Sequence, residues 1–266
     1  MIVRSGRADG RKEIYGTECL RCLRQRRESD HRKDDKCRSR HLQEWRKAMS
    51  RVLPILFNTE MVQAILDGRK TVTRRILKHD TRALLNSPYC KTHPEVPDKQ
   101  IIEKLCKSPY EQGDVLYVRE TWNICSMWSS GNRVTFIYRA DENEEKSART
   151  ISVSDDMFDK FGEMMHGSRP EWRPSIHMPK EAARIFLKVK DVRVERLQDI
   201  TEKQAETEGI NGSEVLYDGY IDAREKFAEL WDSTIKKSDI EKYGWNANPW
   251  VWVIEFERCE KPEEWK

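Results

Sequence analysis

The residues best suited to chemistry form one run, Gly68-Arg69-Lys70-Thr71-Val72-Thr73-Arg74-Arg75, between a predicted helix and a predicted strand. In a strand that begins at Thr71, the side chains of Thr71, Thr73 and Arg75 share one face. A lysine that is partly desolvated beside other cations has a lowered pKa, and Lys70 is therefore suited to act as a base or nucleophile. The alternative is a solvated, charged strand edge, which the run alone favours.

A second run, from Asp199 to Gly209, predicts a short helix that carries three carboxylates, Glu202, Glu206 and Glu208. Glu208 lies at the C-terminal end of this helix, where the helix dipole disfavours negative charge. A carboxylate in an unfavourable position invites a functional interpretation. The alternative is a solvated helix face.

Tryptophans in irregular segments are candidates for stacking on a nucleobase. Trp172 and Trp245 lie in predicted loops, whereas Trp250 and Trp252 fit a buried strand. At the end of another predicted strand, the rim of a pocket could be formed by Arg119, Glu120 and Trp122.

Cysteine spacing offers one weak metal candidate in the N-terminal segment. Cys19-x2-Cys22 followed by Cys37-x3-His41 has the spacing of a zinc site. The alternative is three cysteines in a charged tail. Elsewhere no Ser/His/Asp set or paired Cys-x2-Cys marks catalysis, and we expect no cofactor. Seven scattered cysteines and no signal peptide predict reduced thiols in the cytoplasm.

Composition and charge divide the chain. No apolar run reaches the roughly 18–20 residues that cross a bilayer, so we expect no membrane partner. Residues 1–48 carry 15 basic and 8 acidic side chains, a net charge of +7, whereas the remainder carries 34 and 38, a net charge of −4. The basic segment is predicted to be disordered. One hypothesis makes Met49 the biological start, so that 1–48 is a start-site artefact; the other makes 1–48 a dispensable arm.

From residue 49 to residue 266 the pattern predicts one α+β domain. About six short strands and three helices do not form a parallel βαβ series, and the last strand suits the role of closing a small barrel. The predicted strands cover Leu53–Phe57, Thr71–Ile76, Val115–Glu120, Arg133–Ala140, Ile185–Leu197 and Trp250–Phe256. Two irregular insertions are predicted near 78–112 and 141–180, the first with one short helix.

These motifs resemble the ASCH domain, a relative of the PUA RNA-binding barrel. Its signature, Gly-x-Lys-x-x-Glu-x-Arg, is matched by Gly68, Lys70 and Arg75, with Thr73 in place of the glutamate. A small bacterial branch that hydrolyses N-acetylated cytidine carries Gly-Arg-Lys-Thr-Ile-Thr, which is similar to the run 68–73 here. The helix ending at Glu208 and the strand Val253–Phe256 are also similar to that branch.

The resemblance covers about residues 53–258 and implies a PUA-like barrel with flanking short helices. Carried over position by position, it implies Lys70 as base, Thr73 as nucleophile and Glu208 as proton donor. Other motifs, from Gly113-Asp114 to Asn248-Pro-Trp-Val-Trp252, resemble motifs of the longer ASCH proteins found in phages and prophages. The small enzymes lack the two insertions.

Three functions remain open at this point. The first is hydrolysis of an N-acylated cytidine. The second is a non-catalytic reader of RNA or a modified base, with a nucleoside or nucleotide bound through Lys70, Arg75, Arg119 and loop tryptophans. A net charge of −4 over 49–266 favours a small ligand over long RNA. The third, a ribonuclease, has no supporting His pair. The oligomeric state is not indicated.

Overall fold

The structure, a computed structural model, describes residues 51–141, 148–166, 172–212, 214–216 and 219–263. The basic segment 1–48, with its zinc candidate Cys19, Cys22, Cys37 and His41, lies outside the described residues. The described chain belongs to the unit Ser50–Lys266 and has an α+β fold. No helix in the described ranges is long and apolar enough to cross a membrane.

Ten strands are present in the described ranges, more than the six that the sequence predicts. They are β1 (Val52–Leu56), β2 (Val72–Ile76), β3 (Val115–Arg119), β4 (Trp122–Trp128), β5 (Arg133–Tyr138), β6 (Arg149–Ser152), β7 (Phe186–Arg196), β8 (Glu214–Leu216), β9 (Gly219–Ile221) and β10 (Trp250–Cys259). The six predicted strands correspond to β1, β2, β3, β5, β7 and β10, with ends that differ by up to three residues.

The helices are short and lie mainly between the strands of the largest sheet. They are α1 (Thr59–Leu66), α2 (Thr81–Leu85), α3 (Pro88–Thr92), α4 (Asp98–Leu105), α5 (Asp155–His166), α6 (Glu202–Thr207), α7 (Ala223–Thr234) and α8 (Ile240–Tyr243), with 3-10 turns at Ser175–His177, Lys180–Ala182, Leu197–Asp199, Lys237–Asp239 and Trp245–Ala247. The insertions are thus more regular than predicted, since α2, α3 and α4 occupy the first and β6 and α5 the second.

The largest sheet is mixed and has five strands in the order β1-β3-β7-β10-β2. β1 and β3 are parallel, and the other pairs are antiparallel. Separate sheets are formed by β4-β5-β6 and by β8-β9. Within the described residues no backbone pairing joins β1 to β2, so the expected barrel is not closed by strand pairing.

A side chain of β2 nevertheless crosses the gap to β1, and a second side chain, from the segment before β3, also bonds to β1. Arg75 on β2 donates from Nη2 to the carbonyl oxygen of Leu56 on β1 at 2.7 Å. The Tyr110 hydroxyl donates to the carbonyl oxygen of Pro54, also on β1, at 2.9 Å. Edge strands leave carbonyl groups unpaired, and these two bonds satisfy alternate carbonyls of β1. We call this gap between β1 and β2 the seam.

Three apolar cores pack around the sheets. The first fills one face of the large sheet and includes Phe57 and Ile254; the second includes Trp122 and Phe136 and joins the large sheet to β4-β5-β6. The third packs α6 and α7 on the other face of β2 and β10. Each buried large apolar side chain contributes about 1.5–3 kcal/mol relative to exposure. These cores fix the strand faces from which the candidate site projects.

Local signals explain the elements next to the site. The side chain of Asn58 caps α1 by accepting from the Met61 backbone N–H at 2.8 Å. Gly68 follows α1 with φ of +77°, a left-handed conformation that glycine adopts without strain. Thr201 and Gln204 form a reciprocal capping box at the start of α6. The sequence motifs thus place a turn before β2 and a helix end beside it.

Candidate functional site

Lys70 and Glu208, 138 residues apart in sequence, form a buried ion pair at the start of β2. Lys70 Nζ donates to Glu208 Oε2 at 2.7 Å, to the Glu208 carbonyl oxygen at 2.8 Å and to the Val72 carbonyl oxygen at 2.9 Å. The Lys70 side chain is 0% exposed and that of Glu208 is 5% exposed. All three ammonium protons therefore have acceptors, which a buried ammonium requires.

Gly209 allows this close approach. It has φ of +91°, and a Cβ at this position would lie 2.7 Å from Ala64 Cβ and 3.0 Å from Lys70 Cβ. The end of α6 is held on β2 by a backbone bridge between Lys70 and Glu208 and by a Thr71 N–H bond to the Thr207 carbonyl at 2.9 Å. A side chain at Gly209 would separate the two partners.

Arg74 shares the same carboxylate and was not among the residues that the sequence singled out. Its Nη1 donates to Glu208 Oε1 at 3.0 Å, and its Nη2 donates to Glu195 Oε2 at 3.3 Å and to Gln204 Oε1 at 3.4 Å. The Arg74 side chain is 1% exposed. We call Lys70, Arg74 and Glu208 the seam cluster.

The electrostatics of the seam cluster favour loss of a proton from Lys70. Burial is the largest cause and lowers the pKa of Lys70, because the charged ammonium is poorly solvated there. The charges of Arg75 and Arg74 lower this pKa further, while Glu208 opposes the shift. Burial also lowers the pKa of Arg75.

Thr73 lies on β2 opposite Ile254 of β10, on the strand face that also carries Arg75. The residue is 3% exposed. In the described part of the chain its hydroxyl makes no hydrogen bond, in contrast to the fully bonded Lys70. The Phe57 ring lies beneath both neighbouring cations, with its centroid 5.7 Å from Lys70 Nζ and 5.2 Å from Arg75 Cζ. Phe57, Thr73 and Arg75 thus lie on the seam side of β2, with Lys70 beside them.

The side chains of the other predicted ligand-binding residues make their contacts in other regions. Trp122 is fully buried in the second core against Phe136, with ring centroids 5.8 Å apart. Arg119 donates from Nη2 to the Ile176 carbonyl oxygen. Trp172 is half-buried next to the backbone bridge between Trp122 and Arg173. These residues belong to the region between the two larger sheets.

Trp245 occupies a third region, over α7. Its ring meets that of Phe227 edge-on at 6.2 Å, and the guanidinium of Arg224 lies 5.2 Å from its centroid. The Trp245 side chain thus covers the third core. The predicted binding residues therefore form three groups, and the structure brings Gly68, Lys70, Thr73, Arg75 and Glu208 together in one of them.

Glu120, a predicted rim residue, belongs to a second buried charge group. Arg184 donates from Nε and Nη2 to the two oxygens of Glu120, each at 2.9 Å, and from Nη1 to both oxygens of Asp141 at 2.8 Å. The guanidinium also lies 3.9 Å from the Tyr138 ring centroid. Burial raises the pKa of Glu120, and Arg184 opposes this shift. We call Glu120, Asp141 and Arg184 the brace cluster.

A groove of about 460 Å³ borders the seam cluster on the α6 side of β2. Its lining includes Arg74, Gln204 and Phe256, together with the exposed Lys203. Arg74 therefore forms part of both the seam cluster and the groove wall.

Among the described residues no group of three or more His, Cys, Asp or Glu side chains is arranged to hold a metal ion. In comparisons with known proteins, the chain matches no protein-family model, no curated protein and no solved structure. The functional interpretation therefore depends on the geometry of the site and on the motif resemblance.

Proposed function

We propose that this chain is an ASCH-type protein that hydrolyses the amide bond of an N-acylated cytosine nucleoside. The single observation that carries the proposal is the 2.7 Å contact between Lys70 Nζ and Glu208 Oε2, buried beside the Thr73 strand. The motif resemblance assigns these three residues to base, nucleophile and proton donor. A nucleophile must reach its base, so the proposed reaction requires Lys70 Nζ to exchange one of its three acceptors for the Thr73 hydroxyl.

The proposed reaction begins from neutral Lys70 and ionised Glu208. The Thr73 hydroxyl gives its proton to Lys70 Nζ while Thr73 Oγ1 bonds to the acyl carbon, whose carbonyl oxygen takes the electron pair. The proton passes from Lys70 to Glu208 across their hydrogen bond. Collapse of the intermediate breaks the C–N bond, and Glu208 protonates the leaving amine.

Water then completes the cycle. It gives one proton to Lys70 while its oxygen attacks the ester carbon of acyl-Thr73, and collapse returns the Lys70 proton to Thr73 Oγ1. The products are the free nucleoside and a carboxylic acid, and the site returns to its starting protonation. The lowered pKa of Lys70 supports the neutral amine that the first step needs.

We also propose a PUA-like barrel as the architecture. The support is the seam, where Arg75 of β2 donates to the Leu56 carbonyl of β1, and where Tyr110, from the segment before β3, donates to the Pro54 carbonyl of β1. A ligand that enters between β1 and β2 would meet Phe57, Thr73 and Arg75. The proposed substrate pocket is then between β1 and β2, at the side of the proposed barrel.

The second candidate is a binding protein without chemistry. It is favoured by the three acceptors that surround Lys70 Nζ, because a fully bonded ammonium is also what a structural ion pair requires. In this candidate a nucleoside or modified nucleotide enters the seam and is released unchanged. RNA is the less favoured ligand because residues 49–266 carry a net charge of −4.

The test incubates the full-length protein with N-acetylcytidine and follows cytidine release by chromatography. We expect turnover that falls at least about 100-fold in Thr73→Val, which removes the hydroxyl at nearly constant shape. Thr71→Val is the matched control, because Thr71 is an exposed threonine two residues before Thr73, immediately before β2, and it should retain wild-type turnover.

Three results separate the candidates. Equal turnover in the wild-type protein and Thr73→Val contradicts the assigned nucleophile. Saturable binding of the nucleoside without release of cytidine supports the binding protein. Salt-dependent binding of random RNA, with no binding of the nucleoside, supports the RNA reader instead.

A further inference from the structure

We propose that Arg74 is a positioning residue that acts through Glu208 to keep Lys70 ready to release its proton. This deepens the proposed function and rests on it. Arg74 Nη1 and Lys70 Nζ bind different oxygens of one carboxylate, at 3.0 Å and 2.7 Å. Lys70 therefore shares its counter-charge with a second buried cation.

The position of Arg74 does not depend on Glu208 alone. Its Nη2 is held by Glu195 on β7 at 3.3 Å and by Gln204 on α6 at 3.4 Å. Glu195 is in turn bound by Arg193 Nε at 2.7 Å, so its charge is also shared. β7 and α6 thus hold the guanidinium against Oε1 and leave Oε2 to Lys70.

The charged side chains that act on Lys70 comprise two cations and one carboxylate. Glu208 faces it from the end of α6, and Arg74 and Arg75 face it from β2. Glu195 reaches Arg74, and Tyr110 lies beside Arg75. Since like charges disfavour the ammonium, removal of Arg74 must make Lys70 hold its proton more tightly. A merely structural Arg74 would change stability and leave this proton unaffected.

The test is an NMR titration of the Lys70 side chain in the full-length protein, with 13C-labelled lysine and Lys70→Met to assign the signal. In Arg74→Met we expect the titration midpoint of Lys70 to rise by about one pH unit. Arg74→Lys, which keeps the charge, should bring the midpoint back toward the wild-type value. Glu195→Gln removes a negative charge that contacts Arg74 and neither Lys70 nor Glu208, so it should lower the midpoint.

The titration midpoint of Lys70 is expected to rise in Arg74→Met and to fall in Glu195→Gln, so either variant can refute the proposal. An unchanged or lowered midpoint in Arg74→Met overturns it. If Arg74→Met does not fold, Glu195→Gln decides, because an unchanged or raised midpoint there also overturns it. The titration requires no turnover, so it is separate from the test of hydrolysis. Where N-acetylcytidine is hydrolysed, the rise of turnover with pH should shift in the same direction in each variant.

Discussion

The seam cluster and the brace cluster bury similar charged groups in opposite proportions. In the seam cluster two cations, Lys70 and Arg74, bind the single carboxylate of Glu208. In the brace cluster one guanidinium binds two carboxylates, with each of its three nitrogens donating. In the first, burial lowers the pKa of Lys70, whereas in the second each guanidinium nitrogen donates to a carboxylate. The difference separates a group suited to chemistry from a group suited to holding elements together.

The position of each cluster in the fold agrees with this difference. Glu120 follows β3, Asp141 follows β5 and Arg184 precedes β7, so the brace cluster ties the large sheet to the three-stranded sheet. The seam cluster instead lies at an edge strand, next to a gap that the Arg75 side chain bridges.

The largest expected effect is on turnover. Lys70→Met should reduce cytidine release by about 100- to 10,000-fold, because it removes the proposed base. Arg184→Met should leave turnover per folded molecule unchanged, since the described contacts of the brace cluster join the large sheet to the three-stranded sheet and include no seam residue. A comparable loss of turnover per folded molecule in both variants would contradict the division of roles.

The next largest effect is on the free energy of unfolding, and here we expect a large effect from the brace cluster. Arg184→Met should lower the free energy of unfolding by about 3–5 kcal/mol, because it leaves the buried Glu120 without a partner. Lys190→Met, which removes the exposed pair with Glu257, should cost less than about 1 kcal/mol. Urea denaturation measures both, and equal losses would show that the brace cluster has no special structural role.

The pH dependence of stability provides a smaller test. Because the pKa of Lys70 is lower in the folded protein than its ordinary value of about 10.4, the unfolded chain binds more protons between the two values. Over that window the wild-type protein should gain stability relative to Lys70→Met as the pH rises. Urea denaturation of both proteins from neutral to alkaline pH measures this difference. A difference that falls with pH would contradict the environment assigned to Lys70.

The smallest effect concerns two buried threonines. Thr73→Val should change the free energy of unfolding by less than about 0.5 kcal/mol, because its hydroxyl has no partner in the described residues. Thr135→Val on β5 should cost about 1 kcal/mol, since its hydroxyl bonds to that of Thr150 at 2.8 Å. Thermal or urea unfolding distinguishes them. A larger cost at Thr73 would reveal a structural role for its hydroxyl.

The regular elements of the large sheet could be predicted from the sequence because their patterns are local. β5 and β10 alternate, and α1 and α6 carry capping residues. β4 was missed because a register irregularity between Ile124 and Ser126 breaks its alternation. α5 was missed because the prolines around 170–179 indicate an irregular segment, although Phe161 packs at helical spacing into the second core.

The candidate site could be predicted only in part. The roles of Lys70, Thr73 and Glu208 were predicted from the motif resemblance. Spacing alone favours a solvated strand edge for the first two and a solvated helix face for Glu208. Arg74 was missed because two adjacent arginines in a strand look exposed. The signal was the alternation itself, which places position 74 on the same face as the buried Val72. Glu208 contacts this face from a distant part of the sequence, and a local pattern cannot predict such a contact.

The most direct measurement of the central claim is a search for the acyl-enzyme. The full-length protein is mixed with N-acetylcytidine, quenched in acid and digested, and the peptides are examined by mass spectrometry. We predict one acetyl group on the Thr73 hydroxyl in the wild-type protein and in Thr71→Val, and none at this position in Lys70→Met. Release of cytidine with no acetyl group on Thr73, or with the acetyl group on another residue, would contradict the claim that the seam residues carry out the reaction.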